Sequence, residues 1–369
     1  MGKRELFIAI AFVLVGTVAY QLAAPPPKDG EQGFSLSRLF SNMRRGIRGN
    51  PSRASVKQEG TLPVGAAITE VRLTPGRSLT IAVTGENRED IGYELLIESS
   101  GPDDATAKTY AGRTKLLTDD LGSALALRFF FPQEGQQSGS LTLRVPARLN
   151  VRVDGGVRGR IGGVHAVHLG NAVGEITLDG IAGAVSGSHR AGDLDLNNVG
   201  SATLTLQNSR AKIRGVKQGV TLNIRGGECE ISTSAGPIDL TAMNAETTIT
   251  AHDGPVQVGG EGGTVRIRAP SRETKVDMRR AEVEIQMTGA APVTALTTDE
   301  TLQVQLDGGA PIEVDASATD GGHVQAGDFN LQAETAERGA RLTHAFGDKT
   351  VARVILRNVR GDIVIGKRK

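Results

Sequence analysis

Tryptophan is absent from this 369-residue chain, aromatic residues make up only 3% of it, and Cys229 is its single cysteine. Ordinary globular cores draw much of their buried area from aromatic rings, so such a core is excluded and an aliphatic one expected. The lone thiol rules out an intramolecular disulfide, and cysteine usage is therefore compatible with a reducing or an oxidising compartment. Charge of one sign is missing too, because 42 basic side chains face 41 acidic ones. No overall field exists to hold nucleic acid or to steer an acidic substrate, which argues against a nucleic-acid partner. Glycine, by contrast, is in excess at 48 residues, about twice its usual share. That excess marks a turn-rich β protein.

Residues 6–24 read LFIAIAFVLVGTVAYQLAA, 19 residues without a formal charge, preceded by Lys3 and Arg4. Such a run spans a hydrocarbon core of roughly 30 Å as a helix. A cleaved signal peptide shares the basic start and the apolar run. Its cleavage site is poor here, since Leu22 stands where a small residue is wanted and Pro25, Pro26 and Pro27 follow at once. The expectation is a transmembrane signal anchor at 6–24, a cytoplasmic tip at 1–5, and a body outside the cytoplasm, in the periplasm or at the cell surface.

From Lys28 to Lys57 seven basic residues stand against Asp29 and Glu31. Leu36, Leu39, Phe40, Met43 and Ile47 recur at helical spacing among them, which fits either a basic amphipathic helix on an anionic lipid surface or a solvated linker. Residues 25–66 are thus expected to be a basic Pro/Gly-containing linker. Residues 67–153 alternate in the manner of β-strands, as in EVRLTPG, SLTIAVTG, GYELLIES and SLTLRVPARLNVRV, with turn-rich stretches such as ENRED and SGPDDAT between them. They read as an antiparallel entry region.

The strongest signal follows. Ile213, Leu222, Ile231, Leu240, Ile249, Val258, Ile267, Val276 and Ile285 fall nine residues apart without a slip. Two residues before them stand Ala211, Val220, Cys229, Ile238, Thr247, Val256, Val265, Thr274 and Val283, small or β-branched as strand alternation requires. Two residues after them, Gly215, Ile224, Thr233, Ala242, Ala251, Gly260, Ala269, Met278 and Met287 make a third inward column. Glycines such as Gly227, Gly236, Gly254 and Gly263 come five residues past the marker, where a tight corner needs them. The rhythm extends backwards through Leu204, Leu194, Val185, Ile176 and Val167, and forwards through Val293, Leu302 and Ile312. No unit this short buries its own face, so neighbours supply the core by stacking. The fold class expected is all-β, a β-solenoid of nine-residue strand-and-turn repeats over 154–320. Two arms would make an 18-residue coil; three arms per coil, or an antiparallel meander, fit the spacing as well. Residues 321–369 are expected to form C-terminal strands that cap the stack.

The entry SLTLRVPARLNVRVDGG, the segments GEITLDGIAG and GDLDLNNVG, and the closing ILRNVRGDIVIG resemble the bacterial family named putative auto-transporter adhesin head domains, over about residues 70–367. The resemblance implies a β-solenoid on an exported, often membrane-tethered chain, and it brings no catalytic residues with it.

Candidate chemistry is sparse. Asp193 and Asp195 lie two apart on one strand face with His189 and Arg190 nearby, a pairing seen in polysaccharide-cleaving β-helices. No second acidic cluster stands near them, and residues 141–328 contain no aromatic platform for a sugar, so an exposed charged face is the stronger reading. His165 and His168, three apart, would point to opposite faces of a strand and so make poor metal ligands. His252, His323 and His344 are scattered. Asp253 with Gly254, and Asp307 with Gly308 and Gly309, resemble calcium-binding turns but lack their regular spacing. Cys229 sits within the inward ladder, where a thiol replaces a small aliphatic side chain. The sequence thus assigns no catalytic, cofactor-binding or metal-binding residue. It suggests a membrane-anchored, non-enzymatic scaffold or adhesion module that touches an envelope polymer or protein. A polymerising filament and a carbohydrate-active enzyme are the alternatives.

Overall fold

The computed structural model describes residues 51–76, 78–347 and 349–368. The anchor expected at 6–24 and most of the basic segment after it lie outside the described residues. Among the described residues no helix is long and apolar enough to cross a membrane.

Residues 52–369 form one compact unit, all-β and mostly parallel. Its central strands are β8 (Asn150–Gly162), β9 (Ala166–Asp179), β10 (Ala184–Asn197), β11 (Ser201–Arg214), β12 (Val220–Ser232), β13 (Ile238–Thr250) and β14 (Val256–Arg268). Each pairs in parallel with the next. Val220 stands beside Ile238 and Ile238 beside Val256, an advance of 18 residues per coil. A coil therefore has two nine-residue arms, as the sequence expectation allowed, and the three-armed and meander alternatives are set aside. In β12 the first arm, arm A, is residues 220–225, and the second, arm B, is residues 228–232. Later coils break at the corner, so that β15 (Thr274–Arg279) and β17 (Val293–Thr298) continue arm A while β16 (Glu282–Gln286) and β18 (Leu302–Leu306) continue arm B.

All nine marker residues from Ile213 to Ile285 are buried, and so are all nine residues two places before them. The third column holds on arm A, where Ile224, Ala242 and Met278 are buried. On arm B it fails in the central coils. Gly215, Thr233, Ala251 and Ala269 are corner residues with φ of 67°, 48°, 49° and 54°. The chain turns too soon there for a third inward side chain. The opposite corner is a second left-handed column in which Asn208, Gly226, Asn244 and Gly262 alternate, with φ of 49°, 66°, 51° and 70°. Asparagine tolerates this conformation better than most residues and glycine adopts it freely.

Outside the exact run the register drifts. Ala202 stands beside Val185, an advance of 17, and Val293 beside Thr274, an advance of 19. Leu194, Val185, Ile176, Val167, Val293 and Leu302 are all inward, yet they occupy the column two places before the marker. Markers projected at a fixed spacing from Ile213 land one ladder position away.

Both ends correct the expected domain plan. Ser52–Leu62, inside the segment expected to be linker, forms β1, which pairs antiparallel with β4 (Ile91–Gly101). The region expected to be an antiparallel entry contains two further coils. β2 (Glu70–Thr74) and β3 (Leu79–Glu86) pair in parallel with the two halves of β8. β6 (Ala124–Phe130) and β7 (Gln137–Pro146) stack in parallel on their outer side. Antiparallel strands then close this end, β5 (Lys115–Asp120) against β6, and β4 with β1 against β7. The single α-helix among the described residues, α1 (Asp104–Arg113), packs over β1 and β4, and the Asp103 carboxylate caps it by accepting from the Thr106 N–H at 2.7 Å.

At the far end, β19 (Ile312–Thr319) and β20 (Val324–Gln325) stand two coil positions beyond β17 and β18, leaving room for one coil between. The last coil of the chain, β23 (Ala352–Val359) with β24 (Ile363–Lys367), fills the gap between them. The C-terminal strands are therefore part of the stack. The closing element is β22 (Gly339–Ala345), antiparallel on β19 and followed by β21 (Glu334–Ala336) at the edge.

Corner glycines should prove more demanding than glycines elsewhere. A Cβ on Gly263, at φ +81°, would lie 2.2 Å from the Ala245 carbonyl oxygen, whereas one on Gly289 would meet nothing within 4 Å. Gly263→Ala is expected to cost about 1–3 kcal/mol and Gly289→Ala less than about 0.5 kcal/mol, as read by chemical denaturation.

Candidate functional site

Because arms alternate inward and outward, each coil presents two outer faces, and the two are built differently. The face of arm B is a ladder of opposed charges. Arg158 and Arg160 of β8 lie beside Glu175 and Thr177 of β9, and Asp193 and Asp195 of β10 beside Arg210 and Lys212 of β11. Glu228 and Glu230 of β12 come next. Arg158 approaches Glu175 at 3.3 Å, Arg210 reaches Glu228 at 3.1 Å and Asp193 at 3.8 Å, Arg266 reaches Glu284 at 3.6 Å, and Arg160 binds Asp179. Exposed pairs of this kind contribute about 0–1 kcal/mol each. They link neighbouring coils across this face.

Asp193 and Asp195 are thus rungs of this ladder. His189, expected beside them, is separated from them by the sheet. It is fully buried at the third inward position of arm A, with Nε2 3.0 Å from the Gly174 carbonyl oxygen and Nδ1 2.9 Å from the Ser209 hydroxyl. The Nε2–H donates to the carbonyl, so the neutral ring accepts from Ser209. Arg190 is exposed at the corner. His165 lies in the turn before β9 instead of on a strand, exposed, while His168 is on arm A with Nδ1 3.0 Å from the Ser186 hydroxyl. Among the described residues no group of three or more His, Cys, Asp or Glu could hold a metal ion. Asp253 is solvent-exposed and pairs with Arg272 at 3.5 Å, and the Asp307 carboxylate accepts from the Gly309 N–H at 3.1 Å, a local turn. Cys229 lies between Ala211 and Thr247 in the inward ladder, and burial pushes its thiol up to about 12.

The face of arm A carries few charges in its central coils. Thr205, Asn223, Thr241, Gly259, Asp277 and Leu296 stand side by side on successive strands, all pointing outward. With strands about 4.8 Å apart the row spans roughly 24 Å. Two open depressions lie along it. The first, about 790 Å³, is lined by Gln207, Asn208, Asn223, Arg225, Gly226, Thr241, Met243 and Asn244. The second, about 480 Å³, runs from Gln257 and Gly259 to Lys275, Asp277, Arg279, Thr294 and Leu296. Missing side chains make room for both, at Gly226 in one and at Gly259 in the other. The first depression gathers four amides, a hydroxyl, a guanidinium and a thioether, with no carboxylate and no imidazole. Such a lining donates and accepts hydrogen bonds but offers no group that exchanges a proton near neutral pH. The strand alternation that marks the inward positions marks the outward ones as well, one place away, as Asn223 is between Leu222 and Ile224.

No family model matches the chain, and no curated protein matches it. Among solved structures, a putative cell adhesion protein from Clostridium sporogenes ATCC 15579 aligns at 11% identity over 86% of this chain and 100% of its own, with a TM-score of 0.20. A putative adhesin from Bacteroides fragilis NCTC 9343 aligns at 11% identity over 85% of this chain and 98% of its own, with a TM-score of 0.26. Likeness at this level says nothing of what this chain binds.

Buried titrating groups make two expectations concrete. Cys229 should resist thiol reagents at pH 8 until the protein unfolds, and Cys229→Val should keep the fold, as read by labelling and circular dichroism. Burial lowers the pKa of His189 and of His252 from 6.5. The unfolded chain therefore takes up these protons first, so the stability tied to neutral imidazoles is full above about pH 6.5 and is lost as pH falls below it. The thermal midpoint should drop between pH 7 and 5, and His189→Gln should shrink that drop.

Proposed function

We propose that the chain is a membrane-anchored, extracytoplasmic β-solenoid that acts as a non-enzymatic adhesion or scaffold module, holding an extended envelope polymer or protein along the outer face of arm A. The contrast between the two faces carries this reading. Arm B is a charged face partly cross-linked by its own ion pairs, whereas arm A leaves amides, hydroxyls and two depressions open along one row. A straight row repeated on successive coils suits a ligand that is itself long and repetitive, since many weak contacts add along its length. The apolar run at 6–24 supplies the anchor in this proposal.

A polymerising filament would need open terminal coils. Antiparallel strands lie over both ends instead, β5 and β4 at one and β22 at the other, and an antiparallel strand does not continue a parallel ladder. The polysaccharide-cleaving alternative loses its basis once Asp193 and Asp195 are seen as rungs opposite Arg210 and Lys212.

Filling the first depression tests the reading. The intact protein should co-sediment with isolated cell-envelope fractions, and Asn223→Trp with Thr241→Trp, both on exposed positions, should weaken that about tenfold, or roughly 1.4 kcal/mol. Lys212→Gln with Glu230→Gln on the arm B face should leave it unchanged. Wild-type binding by the tryptophan pair would overturn the choice of face.

A further inference from the structure

We propose that the outer face of arm A ends in an oxyanion-binding site, formed by Arg341, Arg353 and Arg357, that takes the phosphate, sulfate or carboxylate groups of a linear polyanion. Three strands that are distant in sequence bring these residues together. Arg353 and Arg357 project from β23, Asp315 from β19 beside it, and Arg341 from β22 beyond. All converge on the Asp315 carboxylate. Arg357 Nη2 lies 2.8 Å and Arg353 Nη2 3.2 Å from its Oδ2, and Arg341 Nη2 lies 3.6 Å from its Oδ1. The Asp315 side chain is 5% exposed, whereas those of Arg341 and Arg353 are 59% and 55% exposed.

One carboxylate cannot neutralise three guanidiniums. Glu313, the cross-strand neighbour of Arg353, and Glu334, that of Arg341, make no ion pair within 4.0 Å among the described residues, so the carboxylate in direct contact with the three guanidiniums is the one buried beneath them. The arm B face is built on another plan, with Arg210 lying between Asp193 and Glu228. At Asp315 the ratio is reversed, with three guanidiniums gathered on a single carboxylate.

The free valences face outward. Arg353 gives one hydrogen bond to Asp315 Oδ2 and Arg341 gives none within hydrogen-bond distance, of the five N–H donors each carries. Asp315 Oδ1, buried, accepts no hydrogen bond among the described residues. Asp315 thus acts as a positioning residue that gathers the guanidiniums while an external oxyanion meets their outer edges. Arginine forks suit that geometry better than ammonium groups do. Leu296, 42% exposed, lies directly beside Arg357 and ends the row of outward residues described above, so one extended ligand reaches both places. This deepens the polymer-binding reading and rests on it for the continuity of the face.

The test uses the full chain in non-ionic detergent, with long-chain inorganic polyphosphate, heparin and poly-L-glutamate as separate probes at roughly 50 mM salt. At least one probe should bind, less tightly as salt rises, and the tightest names the oxyanion. Arg341→Gln with Arg353→Gln should weaken that binding at least about tenfold, while Arg158→Gln with Arg160→Gln, which removes equal charge from the arm B face, should not. Phenylglyoxal footprinting of the unaltered protein gives a readout independent of any variant's folding, and the bound probe should shield Arg341 and Arg353 but not Arg158. Absence of binding to all three probes, equal loss by both pairs, or equal shielding of the two faces would overturn the assignment. If the arginine pair keeps full polyanion binding while the Asn223 and Thr241 tryptophan pair loses envelope binding, this site fails and the polymer-binding face stands.

Discussion

Parallel pairing that brings the chain back beside itself every 18 residues or so is the constraint on which the rest of the molecule depends. A parallel ladder places like positions side by side, so whatever stands inward in one coil must tolerate its copy about 4.8 Å above and below. Branched aliphatics do this well, and the columns of Ile213, Ile231, Ile249 and Ile267 or of Leu222, Leu240 and Val258 form a dry core without a single ring. A coil by itself would leave both arms half-exposed, and only stacking removes that apolar surface from water. The aromatic poverty of the chain, its glycine content and the inertness of Cys229 are consequences of that one repeat.

The same constraint governs the outer faces, where copies also stack on copies. Like charges in register repel, so a face made of charged residues must change sign from rung to rung. Arm B does this in part, with arginines of β8 beside Glu175 of β9 and basic residues of β11 between the acids of β10 and β12, although Glu228 and Glu246 stack with like charge. Arm A meets the requirement with uncharged residues in its central coils, and Thr205, Asn223 and Thr241 stack without electrostatic cost. A face kept neutral in this way retains unsatisfied hydrogen-bonding groups. The asymmetry of the coil's two faces therefore follows from two different solutions to one stacking problem.

How much could be read from the sequence follows from the same physics. Between Ile213 and Ile285 the spacing is strict because every coil there advances by 18, and the core was legible residue by residue. A coil that advances by 17 or 19 moves a column by one place without exposing anything, because a neighbouring aliphatic takes the inward position. Leu194 and Val293 are such cases. Thr233 and Ala251 misled for another reason, since composition does not distinguish a small inward residue from a small left-handed corner residue. The coils at both ends were invisible because their partners are remote: Thr80 pairs with Arg158, and Val293 with Val354. The Asp315 cluster shares that cause, being assembled from strands whose adjacency no local spacing reports.

The ends also show how a repeating ladder is made finite. At the far end the chain passes β17 and β18, lays down β19 and β20 two coil positions further out, and returns to place β23 and β24 in the space left between. The last coil is held by parallel strands on both sides, so the C-terminus is not a growing edge. At the other end β2 and β3 lie in the same manner between β8 on one side and β6 and β7 on the other. In both places the outermost coil then receives an antiparallel strand, which satisfies its hydrogen bonds in a direction the next parallel coil could not follow. The return that closes the C-terminal end is also what sets Arg353 and Arg357 beside Asp315. Termination of the stack and the concentration of positive charge at its end are therefore products of a single topological step.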